Sequence, residues 1–395
     1  MRVLYVQYTN PGAYPPLVRG AGLLAESGAD VMMLGTRVRN TDALNIQPAD
    51  GITVRLAEPP PEGWRLKAHY ARYAAWVARE ASAWKPDWIY ASDLLSAPIA
   101  LALAALTAAR VVYHEHDAPS DAHPTWIIRR YLDARRRLLR DANLVVTPNA
   151  ERSARLAAIA GGRAVFTVWN CPRRPVRRPP MRQSADLLRV VYRGSVNSQR
   201  LPLSAVEAVA RSQTPVTLDV AGYETVGSRG YLTALAAHAE RLGAGGRVRV
   251  LGTLPEDELA VICEQCDLGL AFMPMTSPDE NMRRMAGASN KTFEYLWYGV
   301  TPLVSDLPDW DRTFTKPGYA LACDPQQVGS ISDALRWAAR HRSVVRDMAV
   351  RGWERLRVDW NYESQFAPVL EAMWGRSSER VTQPSGLSVE AGCAS

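Results

Sequence analysis

Residues 164–194 read AVFTVWNCPRRPVRRPPMRQSADLLRVVYRG: a β-rich run, a break crowded with proline and arginine, and a second β-rich run opening into glycine. Proline lacks the amide hydrogen a central strand must donate and breaks a helix interior, so the break reads as a connection between two folding units. Upstream, β-rich runs begin at Val3 (VLYVQ), Val31 (VMMLG), Ile52 (ITVRL), Trp88 (WIYAS), Arg110 (RVVYHEH) and Asn143 (NLVVTPN), with helical stretches between them. Runs as uninterruptedly apolar as VMML suit strands buried on both faces, hence a parallel sheet layered between helices. Downstream the alternation restarts at Arg189 (RVVYRG), Val216 (VTLDVAG), Val248 (VRVLG), Asp267 (DLGLAFM), Thr301 (TPLVS) and Tyr319 (YALAC). The expected fold class is α/β with two doubly wound, Rossmann-like domains, and 395 residues suffice for two such cores. The boundaries expected are 1–175 for the first domain, 176–187 for a linker, 188–357 for the second domain, 358–376 for a helix returning to the first domain, and 377–395 for a polar, disordered tail. Two facing sheets invite a ligand into the crevice they share.

Bulk properties narrow the class. Apolar residues make up 47% and charged residues 22%, which is ordinary globular usage and excludes fibrous or disordered chains. The apolar start MRVLYVQ is too short for a secretory core, and the apolar run near 98–109 is interrupted by Thr107 and followed by Arg110, short of a membrane span. Five cysteines, an odd number spread over both halves, fit a reducing compartment, so a cytoplasmic protein is expected. The lone CxxC of Cys263 and Cys266 lacks a second pair and reads as buried structural thiols. A net charge of +7 suits phosphate-bearing ligands, nucleic acid or an anionic membrane without choosing among them. Nucleic acid is not expected as a partner, since no zinc-finger spacing, RNA-recognition signature or compact basic domain is present. A nicotinamide-dependent oxidoreductase would need G-x-G-x-x-G after a strand with an acidic residue further on, and neither early strand supplies it.

The chemistry concentrates in GASNKTFEYLWYGVTPLVS, residues 287–305. Phe293, Leu296 and Trp297 share one helical face, while Asn290, Lys291 and Glu294 share the other. Ser289 or Asn290 can cap the start and Gly299 suits the end. Lys291 in the first turn opposes the helix dipole unless an anion sits there, and Gly287-Ala288-Ser289 offers small residues and backbone N–H groups beside it. Glu294 can accept two hydroxyl hydrogen bonds. An ordinary amphipathic helix with a solvated Lys–Glu pair explains the same residues.

The pattern N-K-x-x-E-Y-x-x-x-G-x-x-P-x-V from Asn290 to Val304 resembles the donor-binding segment of family-4-type retaining glycosyltransferases of the GT-B fold (glycosyl transferases group 1). That resemblance implies a GT-B architecture, with the acceptor on the first domain and a nucleotide-diphosphate sugar on the second. It assigns Lys291 to the diphosphate and Glu294 to the ribose, with Ser289 and Asn290 alongside. The family often has a glutamate where this chain has Ala286, so contacts to the sugar itself stay unassigned. VYRGSVNSQRLPL, from Val191, resembles the family's strand, glycine loop and basic residue: Gly194 lets backbone approach the diphosphate and Arg200 pairs with its oxygens. Ser195 stands where many members have arginine, leaving Arg193 as a lesser candidate. YHEHDAPS from Tyr113 resembles the family's His-Asp strand end, which implies that His116, then Asp117, faces the donor sugar. Strand alternation puts His114 and His116 on one side and Glu115 and Asp117 on the other. In the loop Thr9 to Ala13 the resemblance marks Gly12 near the diphosphate.

The expected reaction is sugar transfer from a nucleotide-diphosphate donor, UDP or GDP undetermined, to an acceptor hydroxyl with retention; the acceptor is a sugar, a lipid-linked molecule or a small molecule. A nucleotide-sugar epimerase of the same fold, or an inactive binding homologue, is the alternative. No cofactor and no metal is expected: Asp309-Trp310-Asp311 has metal-binding spacing, but Arg200 and Lys291 leave a diphosphate little need of one. The stretch WIIRRYLDARRRLLRDA from Trp126, with six arginines, reads either as a solvated helix face or, over 126–140, as a peripheral contact with the inner face of an anionic membrane.

Overall fold

The computed structural model describes residues 1–38, 50–119, 124–180 and 186–375. The tail assigned to 377–395 and part of the linker lie outside the described residues.

The first sheet contains β1 (Arg2–Val6), β2 (Asp30–Thr36), β3 (Ile52–Ala57), β4 (Trp88–Ser92), β5 (Arg110–His114), β6 (Leu144–Thr147) and β7 (Phe166–Thr167). It is seven-stranded in the order β3-β2-β1-β4-β5-β6-β7, and every pairing is parallel. The second sheet contains β8 (Leu188–Val196), β9 (Val216–Glu224), β10 (Val248–Gly252), β11 (Leu268–Ala271), β12 (Thr301–Ser305) and β13 (Leu321–Cys323). It is six-stranded in the order β10-β9-β8-β11-β12-β13, again all parallel. Two doubly wound, Rossmann-like units in one chain form the GT-B architecture.

Central strands such as β1 and β4 are buried over nearly their whole length because helices cover both faces. In the first unit these include α1 (Pro15–Glu26), α2 (Arg65–Trp84), α3 (Asp93–Thr107), α4 (Trp126–Asp141) and α5 (Ala150–Ile159). Val3, Tyr5, Leu17 and Leu24 on one face of the sheet form a single core with Tyr362, Phe366, Val369 and Met373. Those last four residues belong to the helix Tyr362–Met373 at the far end of the chain. Asn361 caps that helix by accepting from the Ser364 N–H at 2.9 Å, and its amide donates to Leu356 O at 2.7 Å, which fixes the turn that sends the chain back to the first unit. Cys263 and Cys266 lie in the apolar core of the second unit.

Candidate active site

In each sheet the strand order reverses, between β1 and β4 and between β8 and β11. Open parallel sheets bind ligands beyond the carboxyl ends of their strands at such points. Gly12 follows β1, His116 and Asp117 follow β5, Gly194 and Ser195 end β8, and Arg200 lies in the turn after it. Ser289 precedes, and Asn290, Lys291 and Glu294 belong to, the helix Asn290–Trp297 that leads into β12.

Lys291 is not on a solvated face. It is only 8% exposed; its ammonium donates to Arg193 O and lies 4.4 Å from the centre of the Tyr192 ring. Burial, then the charges of Arg200 and Arg193, push its pKa well below the ordinary lysine value, against a smaller opposing pull from Glu294. Gly194 has φ +98, and a Cβ there would lie 2.6 Å from Lys291 Nζ, so the β8 turn must be glycine for lysine and backbone to share this space. Arg200 donates to Ser195 Oγ at 3.1 Å and reaches Met282 Sδ at 3.9 Å. Neither Arg200 nor Lys291 has a carboxylate within ion-pair distance among the described residues. Together they form a cationic cluster with a glycine floor, suited to an anion bearing several oxygens.

Glu294 is engaged on both oxygens: Oε1 with Arg19 at 3.3 Å and Oε2 with Arg193 at 3.1 Å. Arg193 also meets Glu256 at 3.4 Å and the Tyr298 ring at 5.7 Å, so its guanidinium is held among Glu294, Glu256 and Tyr298. Arg19 comes from α1 and also donates to Cys171 O at 2.8 Å, so this ion pair joins the two units.

On the first unit, the backbone of His116 is fixed from both sides. Its N–H donates to Asp93 Oδ1 at 2.7 Å, and its carbonyl accepts from Arg152 Nη1 at 2.7 Å. The ring, 6% exposed, has no hydrogen-bond partner at either nitrogen; it packs against His114 with centroids 3.8 Å apart and planes inclined by 31°, and has Tyr14 at 5.9 Å. Burial, and then Arg152, lower its pKa to about 3, so the imidazole is neutral and can donate one hydrogen bond and accept another. Glu115 turns the other way into a buried ion pair with Arg135, whose Nη2 lies 2.8 Å from Oε1. Asp117 is exposed, and its N–H donates to Asp93 Oδ1 at 3.2 Å. Asp93 itself, in the left-handed region with φ 61, has its pKa raised to about 8 by burial and then by the charge of Asp117.

Three local expectations need correction. Ser289 occupies the N-cap position, but its hydroxyl makes no capping bond. The N–H groups of Ala288 and Ser289 are not available to an anion, because both donate to Met285 O, at 3.0 and 2.8 Å. The helix's own first-turn donors, from Asn290 to Thr292, are those that helix geometry leaves over. Gly12 likewise has its N–H held by Asn10 Oδ1 at 2.9 Å. The Asp-x-Asp residues have local partners: Asp309 Oδ2 accepts from the Ala286 N–H at 3.2 Å, and Asp311 Oδ1 accepts from Thr315 Oγ1 at 2.5 Å.

Sequence reasoning missed the clasp around residues 281–288. Asn281 exchanges two hydrogen bonds with Ala118, at 2.7 and 2.9 Å, and Asn149 Nδ2 donates to Arg284 O at 2.9 Å. Arg152 Nη2 reaches Asn281 O and Arg284 O, both at 3.2 Å. Asn170 donates to Gly287 O from its backbone at 2.8 Å and to Ala288 O from its side chain at 2.7 Å. Gly287 fits only as glycine, since a Cβ would lie 2.9 Å from Trp169 Cδ1. Asp93, Arg152 and Asn281 carried no motif; the only signal for Asp93 was its place at the end of WIYAS, where a Rossmann-like strand opens into its cleft.

Comparison with known proteins agrees with this fold. Residues 19–171 match the model of the glycosyl transferase 4-like domain. A glycogen synthase of Mycobacterium tuberculosis is 24% identical over 425 residues, covering 97% of each chain. Among solved structures, Anabaena HepE in complex with UDP and glucose superposes with a TM-score of 0.70 at 17% identity, covering 95% of this chain and 100% of that one. Sucrose-phosphate synthase from Thermosynechococcus elongatus gives 0.75 at 14% identity with the same coverage. With a glycosyl transferase 4-like domain matched over residues 19–171 and the GT-B fold over the full chain, the protein is similar to the family-4-type (group 1) GT-B glycosyltransferases.

Proposed function

We propose that this protein is a glycosyltransferase that takes its sugar from a nucleoside-diphosphate donor bound mainly on the second unit and passes it to an acceptor hydroxyl, with retention at the anomeric carbon. The observation that carries the donor site is the buried Lys291, held over the Gly194 floor beside Arg200, with two arginines depressing its proton affinity. A diphosphate reverses that penalty, because an anion restores the charged lysine and pairs with both cations. The HepE structures described with UDP and with UDP-glucose support the donor class.

In this reading Arg200, Lys291 and the first-turn N–H groups stabilise the charge that grows on the departing diphosphate, and donors already aimed at developing charge are the main way such a site lowers the barrier. Glu294 reorganises from Arg19 to the ribose hydroxyls while keeping Arg193. His116, clamped at its backbone and unpartnered at its ring, orients the sugar. The acceptor is a sugar, a lipid-linked molecule or a small molecule received by the first unit, and no general base is assigned.

Calorimetric titration with UDP and GDP tests the site: Lys291→Ala and Glu294→Ala each weaken whichever nucleotide binds, and unchanged affinity in both variants refutes the assignment. Release of free nucleotide that requires an acceptor separates transfer from epimerisation. The anomeric coupling constant of the product, read by NMR, reports retention or overturns it.

A further inference from the structure

One corner of the first unit combines exposed apolar residues with cations that have no acidic partner. Trp64, just before α2, is 79% exposed, Leu66 is 42% exposed, and Trp126, the first residue of α4, is 68% exposed. The two helix starts adjoin: Lys67 Nζ lies 5.7 Å from the centre of the Trp126 ring, Tyr70 packs on Tyr131 at 5.2 Å, and Arg65 lies 5.6 Å from the Trp64 ring. Arg129 and Arg130 continue the exposed stripe one turn along α4.

The charge along α4 is uneven. Arg136 pairs with Asp133 at 2.9 Å and Arg137 with Asp141 at 3.4 Å, while Arg135 is buried against Glu115. Arg65, Lys67, Arg129 and Arg130 have no carboxylate within ion-pair distance among the described residues. Arg140, in the last turn, is likewise exposed without an ion pair among the described residues, but Arg65, Lys67, Arg129 and Arg130 gather at the end that carries the exposed indoles. A solvated helix face accounts for arginines but not for two tryptophans and a leucine left in water beside them. Indole rings settle at the headgroup level of a bilayer, and basic side chains next to them attract anionic headgroups.

We propose that this corner, formed by the start of α2 and the start of α4, docks the protein on an anionic bilayer surface. The surface belongs to the unit that carries His116 and the acceptor side of the cleft, and α4 follows that strand end after a short stretch of chain. Docking does not depend on the donor-site reading.

The full chain is sedimented with vesicles of phosphatidylcholine alone and with vesicles that also contain phosphatidylglycerol. It pellets with the anionic vesicles only, and less as salt rises. Arg129→Glu with Arg130→Glu lowers partitioning about tenfold or more, since each basic residue near the surface contributes several-fold. Trp64→Ala with Trp126→Ala weakens binding but keeps its salt dependence. Reversal of two exposed arginines on the second unit, Arg229→Glu with Arg340→Glu, leaves binding unchanged. Melting curves establish that each variant is folded, and nucleotide titration on the same variants keeps this test separate from that of the donor site. Absence of pelleting with anionic vesicles, equal pelleting with neutral ones, or wild-type pelleting of a folded Arg129→Glu/Arg130→Glu protein overturns the proposal. So does retention on heparin without vesicle binding, which would assign the corner to a polyanionic macromolecule.

Discussion

Gly194→Ala is the most searching single substitution for this site. The residue has φ +98, and the added Cβ would lie 2.6 Å from Lys291 Nζ, closer than real Cβ contacts come. Left-handed backbone costs a residue with a Cβ roughly 1–2 kcal/mol, which sets the expected loss of stability. The steric clash itself is relieved when the lysine tip moves. That movement takes the ammonium away from Arg193 O and the Tyr192 ring. A hydrogen bond to a charged group is worth about 1.5–3 kcal/mol, so displacing Lys291 weakens nucleotide binding roughly ten- to hundredfold. Titration calorimetry with the nucleotide that binds measures the loss, and thermal melting measures the strain separately. The decisive comparison is made in the Lys291→Ala background, where the lysine tip is already gone. If Gly194 acts through Lys291, adding Gly194→Ala there costs little further affinity. Fully additive losses, or wild-type affinity in Gly194→Ala alone, refute the reasoning.

Two further outcomes follow from titratable groups. Because burial and the neighbouring arginines hold Lys291 below its ordinary value of 10.5, an anion that raises it again makes nucleotide binding take up a proton at pH values between the free and bound pKa. Calorimetric enthalpy then varies with the ionisation enthalpy of the buffer, and Lys291→Met abolishes the dependence; a buffer-independent enthalpy up to pH 10.5 counts against it. Asp93 carries the opposite lesson. Its carboxyl is raised from 3.8 to about 8, so the folded state binds the extra proton and stability falls as pH climbs through that interval, levelling off above it. Asp93→Asn keeps an oxygen for the N–H groups of His116 and Asp117 but does not titrate, so its melting temperature gains on wild type from pH 4 to about 8; parallel curves exclude this role.

The fold was legible because its signals are local. Seven β-rich runs before a proline break and six after it need only periodicity and composition, and parallel strands buried on both faces announce themselves as continuous apolar runs. Lys291, Glu294, Gly194 and Arg200 were nameable because their spacing repeats a family pattern within short windows. Their partners were not. Arg19 meets Glu294 across 275 positions, and Asn281 meets Ala118 across 163, separations at which no periodicity survives. The burial of Lys291 was not legible, and a solvated Lys–Glu pair stayed open as an alternative, because helical periodicity sees one helix at a time. Its polar face is covered by β8 of its own unit, and Arg19 of the other unit closes over Glu294 beside it. The burial of Arg135 within a run of exposed arginines is hidden for the same reason, since Glu115, just past the end of β5, distinguishes it.

The return of the helix Tyr362–Met373 to the first unit bears on how the chain is made. Val3, Tyr5 and Leu24, near the start of the chain, are completed as a core by residues near its end. During synthesis this apolar face emerges early and stays uncovered until the whole second unit has been translated, which leaves it exposed to chaperones and to misassociation in the interval. The closing contact also spans nearly the full chain, so its loop-closure entropy makes it a late event in folding. The first unit thus reaches its final packing only after the second is in place, and its boundary in sequence does not mark an independent folding unit.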